Sequence, residues 1–152
     1  MNIFVLDQNA QKASQFHCDK HIVKMPLETA QMLCTAHLFS GTETPYKPTH
    51  KNHPCNKWLI ESIDNYRWLV ELGLHLCKEY SFRYGKKHKC EEVIEWCKNN
   101  EPNIPSLGLT QFALAMPDEF KTNCAIESYR NYYKYAKSHL HNWKNRLKPE
   151  WI

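Results

Sequence analysis

The sequence predicts a mainly α-helical, single-domain compact bundle with a short N-terminal strand or extended segment, and three observations carry that expectation. Apolar residues Trp58, Leu59, Ile63, Tyr66, Val70, Leu74, Cys77 and Tyr80 recur every three or four positions, the period that gives a helix one buried face. The stretch 8–39 is almost free of glycine and turn residues, as a helical segment should be. A chain of 152 residues is long enough for one domain to bury a core without disulfides or a structural metal.

Taken in order, Asn2 to Leu6 reads as the short strand or extended segment, followed by helix from Gln8 to Phe39. Asp19 suits the cap of a helix starting at Lys20. Pro26 must then kink that helix or open a second one, because proline lacks a backbone donor. Gly41, Pro45, Pro48 and Pro54 make 40–54 a loop. One long helix is expected from Asn56 to Tyr84, stopped by Gly85, and a shorter one from Lys89 to Asn99. Pro102, Pro105, Gly108 and Pro117 make 101–118 irregular, and a last helix is expected from Ala125 to Arg146.

Composition narrows the chemistry. Seven cysteines, an odd number scattered through helical patterns with no Cys-x-x-Cys pair, predict reduced thiols rather than bridges or a zinc knuckle. A formal charge of +4, with nine histidines, favours an anionic partner mildly. Apolar runs are too short to span a bilayer and no basic-then-apolar signal opens the chain, so a cytoplasmic protein without membrane contact is expected.

Two clusters carry candidate chemistry. His17, His21, Lys24 and Glu28 are spaced by four, three and four residues, which places them on one face of a continuous helix with Lys20 beside them. A carboxylate among imidazoles and amines suits acid/base work or anion binding. The plainer reading is a solvated face with a Lys24 to Glu28 ion pair. The second cluster, His50-Lys51-Asn52-His53-Pro54, precedes a helix start, where backbone donors can receive phosphate. His17 and His21 with His50 or His53 could also hold a metal. Lys20 and Lys24 would repel a divalent cation there, and with no other cofactor signature neither a metal nor a cofactor is expected. Two stretches, 80–89 with Arg83 and Lys86 and 129–135 with four tyrosines, interleave aromatic and basic residues as nucleotide-binding surfaces do. Two of those four tyrosines are expected in the core.

Asp19-Lys20-His21-Ile22-Val23-Lys24-Met25-Pro26-Leu27-Glu28, Asn52-His53-Pro54, Trp58, Tyr66, Glu79-Tyr80 and Arg83-Tyr84-Gly85 together make the first 90 or so residues resemble the pyrimidine-dimer DNA glycosylase family. The same Asp-Lys-His-x-Val-Lys stretch is similar to that of a group of small phage proteins, which implies a phage origin. The resemblance implies a compact helical fold that cleaves a glycosidic bond of a flipped-out nucleotide and then nicks the abasic site. Glu28 would match the glutamate that handles the sugar, and Lys20 and Lys24 the basic residues that hold phosphate. From the two clusters and the basic, aromatic stretch themselves, His21 and Lys24 are expected to support Glu28, and His17, Lys20, His50, Asn52, His53, Arg83 and Lys86 to bind substrate or phosphate. The family's nucleophile is an N-terminal amine exposed by loss of the initiator methionine. Asn2 is large for efficient removal, so the amine of Met1, or Lys24, would have to attack. The competing reading is a protein that binds, or hydrolyses, a small phosphorylated nucleotide acting as a host signal.

Overall fold

A computed structural model describes Met1–Ile152 as six α-helices without strands, in the order α1 (Ala10–Phe16), α2 (Asp19–Thr35), α3 (Pro54–Leu59), α4 (Ile63–Tyr84), α5 (Glu91–Asn99) and α6 (Ala125–Ala136). The N-terminal residues take the extended option: Ile3, Phe4, Val5 and Leu6 thread through the core without pairing into a sheet. Asn2 holds this thread. Its Oδ1 accepts from Ile3 N (2.7 Å) and Phe4 N (2.9 Å), and its Nδ2 donates to the carbonyl of Ala115 (2.8 Å).

The first helical stretch breaks at His17 and Cys18, both extended, so it forms two helices rather than one. Asp19 is the first residue of α2, and the cap position belongs to Cys18, which makes no side-chain capping bond. Pro26 sits inside α2, and the helix runs on to Thr35. The expected helix from Asn56 to Tyr84 is likewise two. Ile60 ends α3, and Ser62 starts α4 by accepting from Asp64 N (3.3 Å). Trp58 and Ile63 keep the apolar period across the break because both helices face the same core. Pro54 occupies the first turn of α3, Gly85 closes α4 at φ 69°, and α6 ends at Ala136, ten residues before the expected end at Arg146.

α4 is the axis of the bundle, with α1, α2 and α5 packed on it. Gly73 lets α2 and α5 approach α4 closely: a Cβ there would meet Thr29 Cγ2 at 2.8 Å and Ile94 Cδ1 at 3.1 Å. Tyr129 and Tyr133 of α6 are fully buried, whereas Tyr132 is half-buried and Tyr135 exposed, the two-and-two division expected.

A buried polar clamp fastens the C-terminal segment to this frame. Arg83 Nε meets Glu79 Oε1 (3.0 Å), and its Nη1 donates to Asp19 Oδ1 (3.0 Å) and to the carbonyl of His17 (2.8 Å). Its Nη2 donates to the carbonyl of Gln15 (3.0 Å). Arg146 grips Glu79 through both oxygens (2.7 and 3.0 Å), while Asn142 Nδ2 donates to Asp19 Oδ2 (2.8 Å). The carbonyls taken by Arg83 are those freed where α1 ends, so the arginine holds the corner between α1 and α2.

His17 and His21 lie beside this corner in an aromatic nest. Phe4 stacks on His21 with ring centroids 4.5 Å apart, and the Tyr133 hydroxyl, which receives Cys18 N–H, is hydrogen-bonded to His21 Nδ1 (2.8 Å). His17 donates from Nδ1 to the carbonyl of Ala13 (2.7 Å) and keeps an unpartnered Nε2. Burial lowers His17 from the ordinary imidazole value to about 4 and, with the nearby His17, Lys137 and Lys24, lowers His21 to about 3. Both rings are neutral in the fold at any pH where an unfolded chain would begin to protonate them. Stability is therefore whole above about pH 6.5 and falls as pH drops below it, because only the unfolded state takes up protons. At about pH 5.5 the loss is about 1.4 kcal/mol for each ring. Denaturant unfolding at about pH 7.5 and pH 5.5 checks this, and an unchanged midpoint would contradict it.

Candidate active site

The site is built around the buried end of the chain. Because Ile3 to Leu6 are core residues, the α-amine of Met1 is held against α2, where it lies 3.0 Å from Glu28 Oε1 with both side chains nearly buried. Lys24, one turn earlier, brings Nζ to 3.3 Å from Glu28 Oε2 while remaining largely exposed. One carboxylate thus holds two amines, one inside and one at the rim. The helical spacing of Lys24 and Glu28 made their pairing legible, whereas the partnership with Met1 depends on the threading of 1–6.

The loop before α3 closes the other side. His53 caps α3 by accepting Cys55 N–H at Nδ1 (3.1 Å), so in the neutral ring the proton sits on Nε2, available for donation. Its pKa is lowered by burial first and then by the Met1 amine and His50, with Glu28 opposing, which places these groups in one electrostatic neighbourhood. The loop is braced from beneath: Asn56 Nδ2 donates to the carbonyl of His50 (2.7 Å), and Thr35 Oγ1 exchanges hydrogen bonds with the Thr49 backbone. His50, in a left-handed conformation (φ 51°), and Asn52 are exposed. Behind the amine, Cys55 is buried, and desolvation pushes its thiol up to about 12, so it is a neutral wall rather than a competing nucleophile.

The remaining candidates divide. Lys20 is exposed on α2 with Lys24, and His88, donating from Nε2 to the carbonyl of Val23 (2.9 Å), anchors the turn carrying exposed Lys86 to the same helix. His21 is nearly buried, and its Nδ1 is occupied by Tyr133, with Lys24 and Lys137 nearby. His17 is wholly buried and does not share the face of α2, since it lies outside that helix. Arg83 is a correction: its side chain has no exposure and its donors are spent on Glu79, Asp19 and two carbonyls, so it cannot reach a phosphate. Lys137, just past α6, is a cation at this face that had no spacing signal, because it reaches His21 only through the packing of α6. No cluster of three or more histidine, cysteine or carboxylate side chains is arranged to hold a metal.

The family model for pyrimidine dimer DNA glycosylases matches residues 1–92, which include the terminal amine, Glu28, Lys24 and His53. The chain belongs to the pyrimidine dimer DNA glycosylase family. Membership supports a DNA glycosylase-like function and DNA, rather than a small nucleotide, as the partner. Neither the curated proteins nor the solved structures gave a match. No helix is long and apolar enough to cross a membrane. The match stops short of α6, so the buried tyrosines, Lys137 and the Arg146 end of the clamp lie outside the matched region.

Proposed function

We propose that the protein is a DNA glycosylase with an associated lyase step, in which the α-amine of Met1 is the nucleophile and Glu28 the catalytic carboxylate. The observation that carries this is the 3.0 Å contact between Met1 N and Glu28 Oε1 in a nearly buried setting. The α-amine lies nearly buried against the carboxylate, whereas Lys24 carries its amine on a side chain that is 68% exposed at the rim. That favours Met1 over Lys24 as the attacking group. The lone pair of the deprotonated amine forms a bond to the sugar C1′ as the glycosidic bond breaks, and the base leaves with the bonding pair. Glu28 takes the proton that the attached nitrogen must shed and offsets the positive charge that builds on the sugar. His53 donates from Nε2 to the substrate, Lys20, Lys24, His50, Asn52 and Lys86 form the rim that meets phosphates, and His21 with Lys24 supports Glu28.

Borohydride reduction during reaction with abasic duplex DNA tests the nucleophile. A stable protein–DNA adduct is expected, and peptide mapping should place it on the N-terminal peptide. An adduct on Lys24 would transfer the role to that amine, and strand cleavage without any adduct would remove amine attack altogether. Duplex affinity should also fall steeply between low and moderate salt, as phosphate contacts require, whereas a small-ligand pocket would lose far less.

A further inference from the structure

Six of the seven cysteines are buried, and two of them meet across different helices: Cys34 Sγ on α2 and Cys97 Sγ on α5 lie 3.9 Å apart. Sulfur atoms at that separation are in contact, and a shift of under about 2 Å brings them to bonding distance. Cys34 also forms part of the wall of a cleft of about 310 Å³ lined by His37, Thr42, Glu43, Thr44, Lys47 and Pro48, so a small polar molecule in the cleft sits beside this residue. This cleft is separate from the Met1–Glu28 site, whose residues do not line it.

We infer that Cys34 and Cys97 form a reversible dithiol/disulfide pair linking α2 to α5, with Cys34 as the thiol oxidised first by a peroxide-class oxidant. The surroundings assign the roles. The cleft wall includes Cys34 but not Cys97, and the contact between the two lowers the Cys34 thiol to about 7 while raising that of buried Cys97. The Cys34 thiolate attacks one peroxide oxygen, the O–O bond breaks, and hydroxide leaves to become water, giving a sulfenic acid. The Cys97 sulfur, losing its proton, then attacks Cys34 Sγ, forms the S–S bond and expels a second water. Two thiols are oxidised and one peroxide is reduced to two waters.

The neighbourhood is suited to such a change. His37, one turn beyond Cys34, is buried with an unpartnered Nδ1, its Nε2 engaged with the Tyr66 hydroxyl, which in turn donates to the carbonyl of Cys97 (2.7 Å). The backbone of Cys97 is thereby fixed from α4 while its sulfur faces Cys34.

Hydrogen peroxide treatment of the full, reduced Cys124→Ser protein tests the pair, because that substitution removes the exposed thiol and with it intermolecular bridging. After alkylation, the expected result is the loss of two alkylatable thiols and a peptide pair joined through Cys34 and Cys97, both reversed by dithiothreitol. In a Cys97→Ser version, dimedone should label Cys34 as a sulfenic acid. In a Cys34→Ser version, no linked peptide and no label at Cys97 should appear. Full alkylation of both thiols after peroxide, or a first product linking other cysteines, would overturn the proposal. Far-UV spectra of each variant confirm that it is folded before the result is read.

Discussion

Glu28→Gln is expected to lower turnover on damaged or abasic DNA by about two to four orders of magnitude, the usual scale for a lost general base and equal to about 3 to 5 kcal/mol at the transition state. The substitution keeps size and hydrogen-bonding reach but removes the charge that holds the Met1 amine at 3.0 Å and Lys24 at 3.3 Å. Ground-state binding should survive. With one negative charge fewer among Lys20, Lys24 and the terminal amine, duplex affinity at low salt should stay the same or rise slightly. A structural ion pair makes the opposite forecast: Lys24 is 68% exposed, so its share of the pairing is worth at most about 1 kcal/mol of stability, and turnover would be nearly normal. Turnover and affinity measured on one Glu28→Gln preparation, with thermal melting as the folding control, separate the two. Near-normal turnover would remove Glu28 as the catalyst.

The parts of this site that were legible in the sequence are those whose geometry is local. Lys24 and Glu28 meet because four residues is one helical turn, and Pro54 marks the start of α3 because its missing N–H costs nothing there. The helix breaks were missed because the apolar period runs through them. At Ser62 the signal existed, a short hydroxyl side chain able to cap α4, but it was outweighed by the apolar residues on either side. At His17 it did not exist locally: the corner is held by Arg83, 66 residues away. The same reason explains the two largest differences in the candidate site. An arginine in a basic, aromatic stretch reads as a phosphate ligand unless its buried carboxylate partners are known. An N-terminal amine has no side-chain spacing at all, and its position follows from Ile3 to Leu6 being core residues and from Asn2 tying the thread to Ala115. Lys137 shows the limit most simply, since only the packing of α6 against the N-terminal thread brings it to His21.

Arg83→Met should destabilise the protein by about 3 to 5 kcal/mol, the cost of removing one partner from a buried ion pair, which is a large share of the total stability of an ordinary domain. Methionine refills most of the volume, so the loss measures unpaired polar groups rather than a cavity. Glu79 would keep Arg146, and Asp19 would keep Asn142 and the Lys144 backbone, but the carbonyls of Gln15 and His17 would lose their charged donor. The corner between α1 and α2 would loosen, and hydrogen exchange should rise first at His17 and Cys18. Because Arg83 has no exposed side-chain surface, the variant that remains folded at low temperature should bind duplex DNA with an unchanged salt dependence. A phosphate-contacting arginine behaves in the reverse way: stability moves little, affinity falls, and the slope of log affinity against log salt decreases by about 0.9, one released counterion. Denaturant unfolding and salt-dependent binding of Arg83→Met therefore decide between clamp and ligand, and an unshifted unfolding midpoint would show that the clamp does not hold the corner.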